Sequence, residues 1–450
     1  KFEAYDQYEK KTDISSIDTT IVSAPSKDTT NTKGKSANAF VTLDGHDKYK
    51  VDASNLKEGT YVFRWSVQGP CAIGSDTVTI NVPAATQDVT VAGGTIIGKS
   101  YGMINFGNGN DSIVTIIDGT ITGTSYGIDN NKGTTIIDGG TIMGSTGISN
   151  GSNGGTLIIN DGTITTSATG VNNVIYATIN PAGGTNTRNL YFTNNGTITL
   201  NGDKEILSMI DLAGGSGFGG QFTNTGTINI NGTNSYGVIL TSTVAGLPKV
   251  TLNTPLNING SNNVGLGILK EFDTSQSLIK LNVNGANSYG IVADYNPTVG
   301  TTSTFKNYEL TTGAASNNNT LLYLKAGNLV FDNTGATTTM AGTNNFGFVA
   351  GSGTTLSVDN NISSTGDKNL PLVSDSATVQ YAGNITTNGL ESHGLVVKGT
   401  GTLTNIAGKT VSSIVSGDNS VALYNEGTTT LNDGGDLKSL GNKGTIIFAK

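Results

Sequence analysis

The chain has 450 residues, 63 of them Gly and 8 Pro, and only 13% of its residues are charged. Gly at about twice its usual share of roughly 7%, with so little Pro, excludes collagen and Pro-rich linkers, and the Thr, Asn and Ser that replace charge exclude a disordered acidic tail. The net charge of -8, with Arg64 and Arg188 the only arginines, offers nothing that would grip a phosphate backbone. The single Cys71 forms no internal disulfide, a usage that fits export unfolded to the outside of a bacterium. No run of about 20 apolar residues is present, and the sequence opens at Lys1 and stops in mid-pattern at Lys450, as expected of a mature or cloned fragment.

Charge is uneven along the chain. Residues 1–85 hold 10 basic and 11 acidic side chains, leaving 15 and 22 for the remainder, and the composition changes near Pro83. Residues 1–36 are polar and predict an N-terminal arm or irregular edge. Within residues 37–84, alternation of period two marks strands around Ala39 to Leu43, Gly59 to Val67 and Thr77 to Val82. The Gly59-Thr60-Tyr61-x-Phe63-x-Trp65 run followed by Ser75 to Ile80 resembles the closing strands of an immunoglobulin-type, PKD-like module, which implies a small β-sandwich.

From residue 85 to 450 the sequence repeats. Thr115 to Ile121, Thr135 to Ile142 and Leu157 to Ile164 recur at 21 and 22 residues, each followed by a turn and a Gly-centred strand: Ser125-Tyr126-Gly127-Ile128, Thr146-Gly147-Ile148 and Thr169-Gly170-Val171. The turn position recurs from Gly98 to Gly441 in fourteen copies, 21 to 36 residues apart. A unit this short cannot bury its own apolar face, whereas coils stacked at about 4.8 Å bury aliphatic ladders between parallel sheets. Ile121, Ile142, Ile164, Ile198 and Ile228 would form one ladder. Since about 98% of parallel crossovers are right-handed, the expected fold is an all-β chain with a right-handed parallel β-helix of about fourteen coils, a rod of about 65 Å.

Candidate chemistry is sparse. Gly107 to Asp111 reads as a fragment of a calcium nonapeptide or as an Asn-Gly turn, and a single copy leaves it a turn. Asp118, Asp138 and Asp161 fall at equivalent places on successive coils, where they could share a cation or simply make Asp-Gly turns. His46 and His393 lie in different regions, Cys71 follows Pro70 in a loop, and Arg188 has no acidic run beside it. The expectation is therefore no catalytic residue, no cofactor and no metal, with a polysaccharide lyase or hydrolase the least favoured alternative.

Five consecutive copies carry insertions, at about 172–190, 211–221, 241–249, 268–277 and 293–304. Insertions into successive repeats collect on one face of a solenoid, often the binding face. Their larger side chains make the candidate receptor-binding set: Tyr176, Arg188, Phe218, Leu247, Pro248, Phe272, Tyr295 and Pro297.

The Asn234-Ser235-Tyr236-Gly237-Val238 and Asn287-Ser288-Tyr289-Gly290-Ile291 copies, with the Asn-x-Gly-Thr-Ile openings, resemble the passenger repeats of monomeric (type V) autotransporter adhesins. They are most similar to the large outer-membrane adhesins of Fusobacterium, over about residues 86–450. The resemblance implies a monomeric rod on the bacterial cell surface, held to the outer membrane by a β-barrel beyond this sequence. It also implies attachment to a host-cell receptor protein or glycan, or to another bacterium. A passive stalk of a larger surface protein is the alternative.

Overall fold

Thr- and Asn-rich strands of three to six residues, each too small to make a core, find one by stacking on the coils before and after them. The computed structural model describes residues 17–24, 26, 33, 35–36, 41–44, 48–51, 59–68 and 73–82. It also describes 88–450 except 106–111, 132, 151–154, 167–171, 180–188, 213–218, 241–248, 270–276, 296–302 and 433–434. Gly107 to Asp111, His46 and Cys71 lie outside the described residues. Contacts divide the chain into two units, residues 1–87 and 88–450.

In the first unit Ile17–Ser23, Gly59–Gln68 and Ile73–Val82 form a three-stranded antiparallel sheet, and Val41–Asp44 pairs with Lys48–Val51 in a hairpin. Residues 17–23 of the expected arm are thus the edge strand of a sheet. They are held there by Ile21, which is 1% exposed.

The second unit is a parallel β-solenoid. Each coil runs through three walls, seen most simply as Thr134–Ile137 on wall A, Thr141–Gly144 on wall B and Thr146–Asn150 on wall C. Wall C is a continuous 14-stranded sheet from Tyr101–Asn105 to Thr445–Ala449. Long strands that cross the corner from A to B, such as Ile113–Gly123 and Thr355–Ser364, merge those walls into a 9-stranded and a 13-stranded sheet. Ile97, Ile104 and Phe448 stand at outward-facing places of their strands and are exposed, as is Ile447 of the last coil. The stacked solenoid amounts to about 12 turns rather than the fourteen expected.

Inside, like stacks on like. Ile121, Ile142 and Ile164 are in register on wall B, as are Ile198, Ile228, Leu256 and Leu281 further along, and all are at most 2% exposed. Each such rung contributes roughly 1.5–3 kcal/mol of apolar burial. On wall A the same stacking is aromatic, with Phe192 on Phe222 at 4.7 Å and Phe305 on Phe331 at 4.5 Å. The Gly of each Ser-Tyr-Gly copy answers a close approach. A Cβ on Gly127 would sit 2.5 Å from Ile142 Cγ2 and 2.6 Å from the Gly147 carbonyl.

The corner from wall B to wall C sets the rest of the architecture. Asn234, Asn262, Asn287, Asn318 and Asn344 all have φ between 52° and 58°, a left-handed conformation that Asn tolerates. The next residue of each coil turns inward and is buried. Along this column the backbone N–H groups of Glu205, Ser235, Asn263, Ser288, Asn319, Asn345, Asn369 and Ser392 each donate to the side-chain oxygen of the following member, at 2.7–3.1 Å, ending on Ser420. Every turned-in side chain therefore satisfies a buried donor that stacking alone would orphan.

Replacing Asn345 by Ala removes the acceptor of the Asn319 N–H and the donor that reaches Ser316 Oγ and the Ala341 carbonyl. The expected loss is about 1–3 kcal/mol, read as a lower urea midpoint. Asn345→Ser, which keeps an acceptor of the kind found at Ser288 and Ser392, should lose less.

Candidate functional site

The described strands bracket all five insertions in the same way. Asn172–Ile179, Glu205–Leu212, Tyr236–Leu240, Val264–Ile268 and Tyr289–Asp294 belong to wall C, and the chain resumes on wall A at residues 189, 219, 249, 277 and 303. All five thus leave from and return to the corner between walls C and A. The first is shorter than expected: Asn172–Ile179 is itself the wall strand, with Ile175 in register with Ile148. The sequence pattern assigns that place to Thr169-Gly170-Val171, and residues 167–171 lie outside the described residues. The pattern differs from the structure here because Val174, not a Gly, stands in the Gly column of this coil.

Of the candidate contact residues, Arg188, Phe218, Leu247, Pro248, Phe272 and Pro297 lie outside the described residues, as does the side chain of Tyr176. Tyr295 is 6% exposed and belongs to the hydrophobic core, so it is corrected from a surface contact to a packing residue.

The three Asp-Gly turns do not form one column. Ile116, Ile137 and Ile159 pair on wall A, Thr120, Thr141 and Thr163 pair on wall B, and three residues span each corner between them. The second copy reads Asp-Gly-Gly, so Asp138 is displaced by one position and stacks over Asn160, which donates to it at 2.8 Å. That column continues through Asn195 and Thr225, at 3.0 and 2.7 Å. Asp118 and Asp161 each accept the N–H of the following Gly at 2.7 Å. Among the described residues no group of three His, Cys, Asp or Glu is placed to hold a metal ion.

Wall B is interrupted once. Thr163–Thr166 ends the first sheet and Thr197–Leu200 begins the next, and no ladder pair joins them among the described residues. The opening is a groove of about 670 Å³ lined by Thr163, Thr165, Thr197, Thr199, Asp161 and Glu205, among others. Glu205, 4% exposed, bridges it: its carboxylate accepts from Thr166 Oγ1 and from the Gly202 N–H, both at 2.8 Å. Nearby Asp203 is held below the usual carboxylate range by hydrogen bonds from Asn234 and Thr233. These carboxylates already serve as structural acceptors.

A second polar cluster sits where the strand Asn328–Met340 bulges. Asp332 is in register with Asp359, which takes hydrogen bonds from Thr334 and from Lys409, a residue reaching back from a later coil. The hydrogen bond to Asp359 raises the Lys409 pKa. Behind them Tyr308 and Tyr381 are buried, and desolvation pushes both phenols above their usual range.

The outer faces of the walls differ. Beyond the first coils, which expose Ile97, Ile113 and Ile117, walls A and B present Thr and Asn, such as Thr402 with Thr404 and the hydrogen-bonded Asn229–Asn257–Asn282 column, at 2.9–3.0 Å. Wall C presents apolar side chains at the second and fifth places of its Ser-Tyr-Gly-x-x strands, including Tyr289 and Val292, Phe346 and Val349, Val421 and Tyr424. None of these belongs to the core. Sequence reasoning missed this face because it followed the Gly at the third place. Pairing places two and five across copies would have found it. Against this geometry, no protein family, curated protein or solved structure matches the chain.

His393 fills the Tyr place of one wall C strand and stacks on Tyr424 at 6.1 Å. Burial lowers its pKa, the hydrogen bond at Ser392 and the charge of Glu391 opposing only in part. The unfolded chain then binds the proton more readily, so stability is full above about pH 6.5 and is lost as pH falls through the lowered folded value. Melting temperature should fall between neutral pH and about pH 5. In His393→Tyr, which restores the residue of the other copies, that component of the fall should vanish.

Proposed function

We propose that this chain is a segment of a bacterial surface adhesin, a rod that presents a receptor-binding surface to a host-cell protein or glycan, or to another bacterium. The observation that carries the reading is the gathering of five insertions at one corner of five consecutive coils. With coils about 4.8 Å apart, their roots form a column roughly 20 Å tall, a size suited to a macromolecular contact. The polar outer faces of walls A and B, with little charge, suit a rod exposed to solvent along its length.

In this reading the solenoid winds right-handed, as the sterics of parallel crossovers favour. The chain is a passenger similar to those of monomeric autotransporters, in particular the large outer-membrane adhesins of Fusobacterium, and acts without catalysis. The three-stranded sheet of the first unit then belongs to an immunoglobulin- or PKD-like module that binds on its own account. One observation favours a spacer role for part of the rod: the wall C strands from Thr320–Ala326 onward return to wall A through short connections.

The test compares binding of the purified chain to epithelial and immune cells with that of a variant whose insertions between 180 and 302 are trimmed to short-coil length. Loss of binding with an unchanged β-sheet spectrum is expected. Equal binding by both forms would remove the insertions from the site, and binding by neither would favour the spacer.

A further inference from the structure

We propose that the outer face of wall C is a self-association surface, on which the same face of a second copy of this chain packs about a two-fold axis. This goes beyond the receptor reading and differs from the monomer that the family resemblance implies. From Tyr236 to Phe448 nine consecutive coils stack on this wall. At about 4.8 Å per coil and about 3.3 Å per residue the strip is roughly 43 Å long and 17 Å wide, a footprint of roughly 700 Å². As a geometric footprint this approaches the roughly 800 Å² per partner of a standard interface.

Three features select a second copy over another occupant. The first is spacing. The side chains form ridges at the coil repeat, as where Tyr424 stacks on Phe448 in register at 5.2 Å between ring centres, and Tyr289 meets Tyr323 diagonally across two coils at 6.1 Å. A face with the same repeat seats a ridge in a groove at every coil, whereas a partner of different repeat loses register after a few. Sheets that pack face to face at about 10 Å use this kind of interdigitation.

The second is charge. The strip is bordered by both signs in alternation: Lys325 with Asp294 at 2.6 Å, Lys368 with Glu391 at 3.6 Å and Lys450 with Glu426 at 3.7 Å. An alternating border is complementary to itself under a two-fold rotation, and locally it offsets the repulsion expected between copies that each carry a net charge of -8. The third is polarity. The phenol of Tyr424 is already engaged by Glu426 at 2.7 Å, and the outward-facing Val292, Val349 and Val421 carry no hydrogen-bonding group, so this part of the strip offers a glycan few hydrogen bonds.

The test is the sedimentation of the purified chain across the micromolar to millimolar range. A reversible dimer is expected. Val292→Lys with Phe346→Lys should shift the dissociation constant at least about tenfold, which is 1.4 kcal/mol, leaving the β-sheet spectrum unchanged. Thr404→Lys, on the outer face of wall A, should leave the dimer intact. Should the lysine pair unfold the chain, Tyr289→Thr with Tyr323→Thr gives the same readout with residues that walls A and B already carry. A wild type monomeric throughout, a dimer indifferent to the wall C variants, or equal disruption by Thr404→Lys would each overturn the proposal. Cell binding by a monomeric wild type that the wall C variants abolish would do so too, and would assign the face to a receptor instead. Failure of the adhesin reading alone, with no cell binding but an intact dimer, leaves this inference standing.

Discussion

A chain wound into a triangular coil must turn sharply three times per repeat, and every turn leaves backbone groups facing the interior without a partner. The column of Asn and Ser at the corner from wall B to wall C is the constraint on which the rest depends. Each coil spends one residue in a left-handed conformation so that the next side chain can point inward and accept the N–H of the preceding coil. An unpaired buried donor costs about 1–3 kcal/mol, comparable to what a stacked aliphatic rung contributes. The corner therefore has to be satisfied at nearly every coil, and this explains why Asn-Ser and Asn-Asn pairs punctuate the sequence so regularly. Stacking fixes register, register aligns the aliphatic ladders, and the walls follow.

The parallel stacked fold was legible because its signal is a repeat. The ladder of Ile121, Ile142 and Ile164 follows from three nearly identical segments, and no tertiary information was needed to place those residues in the core. What was illegible depends on one-residue offsets. Asp118, Asp138 and Asp161 look equivalent because each precedes Gly, but the extra Gly of the second copy slides Asp138 into the Asn160 column. Likewise Thr169-Gly170-Val171 had the look of a wall strand, while the pairing chose Asn172–Ile179, where Val174 occupies the column that Gly usually fills. A β-strand shifted by one residue exchanges its two faces, so composition alone cannot fix which side chain meets solvent. Tyr295 shows the same limit: an aromatic beside an insertion reads as a contact residue until its burial is seen.

The contrast between the walls is physical as well as chemical. Thr and Asn on walls A and B hydrogen bond along the rod, as in the Asn201–Asn231–Asn259–Asn284 column at 3.0–3.1 Å, so these faces gain cohesion from side chains that are also soluble. Wall C gains cohesion from aromatic and aliphatic contacts between coils, which leaves apolar surface outward. The two solutions are nearly equivalent for stacking one coil on the next. They differ in what they offer a partner: hydrated ladders resist displacement of their water, whereas an apolar strip favours it.

The interruption of wall B falls where two corner designs meet. Before it, the corner from wall B to wall C has no left-handed residue among the described residues, and at the far end of wall C the buried Asn130 donates to Asn150 at 2.7 Å. After it, the left-handed corner starts with Lys204 and the buried column starts with Glu205. No single ladder can serve both geometries, so strands 163–166 and 197–200 each pair on one side but not with each other, while walls A and C carry the chain across. A solenoid is held together coil by coil, and its cooperativity is only as strong as its weakest interface. Glu205, which ties Thr166 to Gly202 through one carboxylate, substitutes a side-chain bridge for the missing ladder, making the junction the natural boundary between two cooperative blocks of the rod.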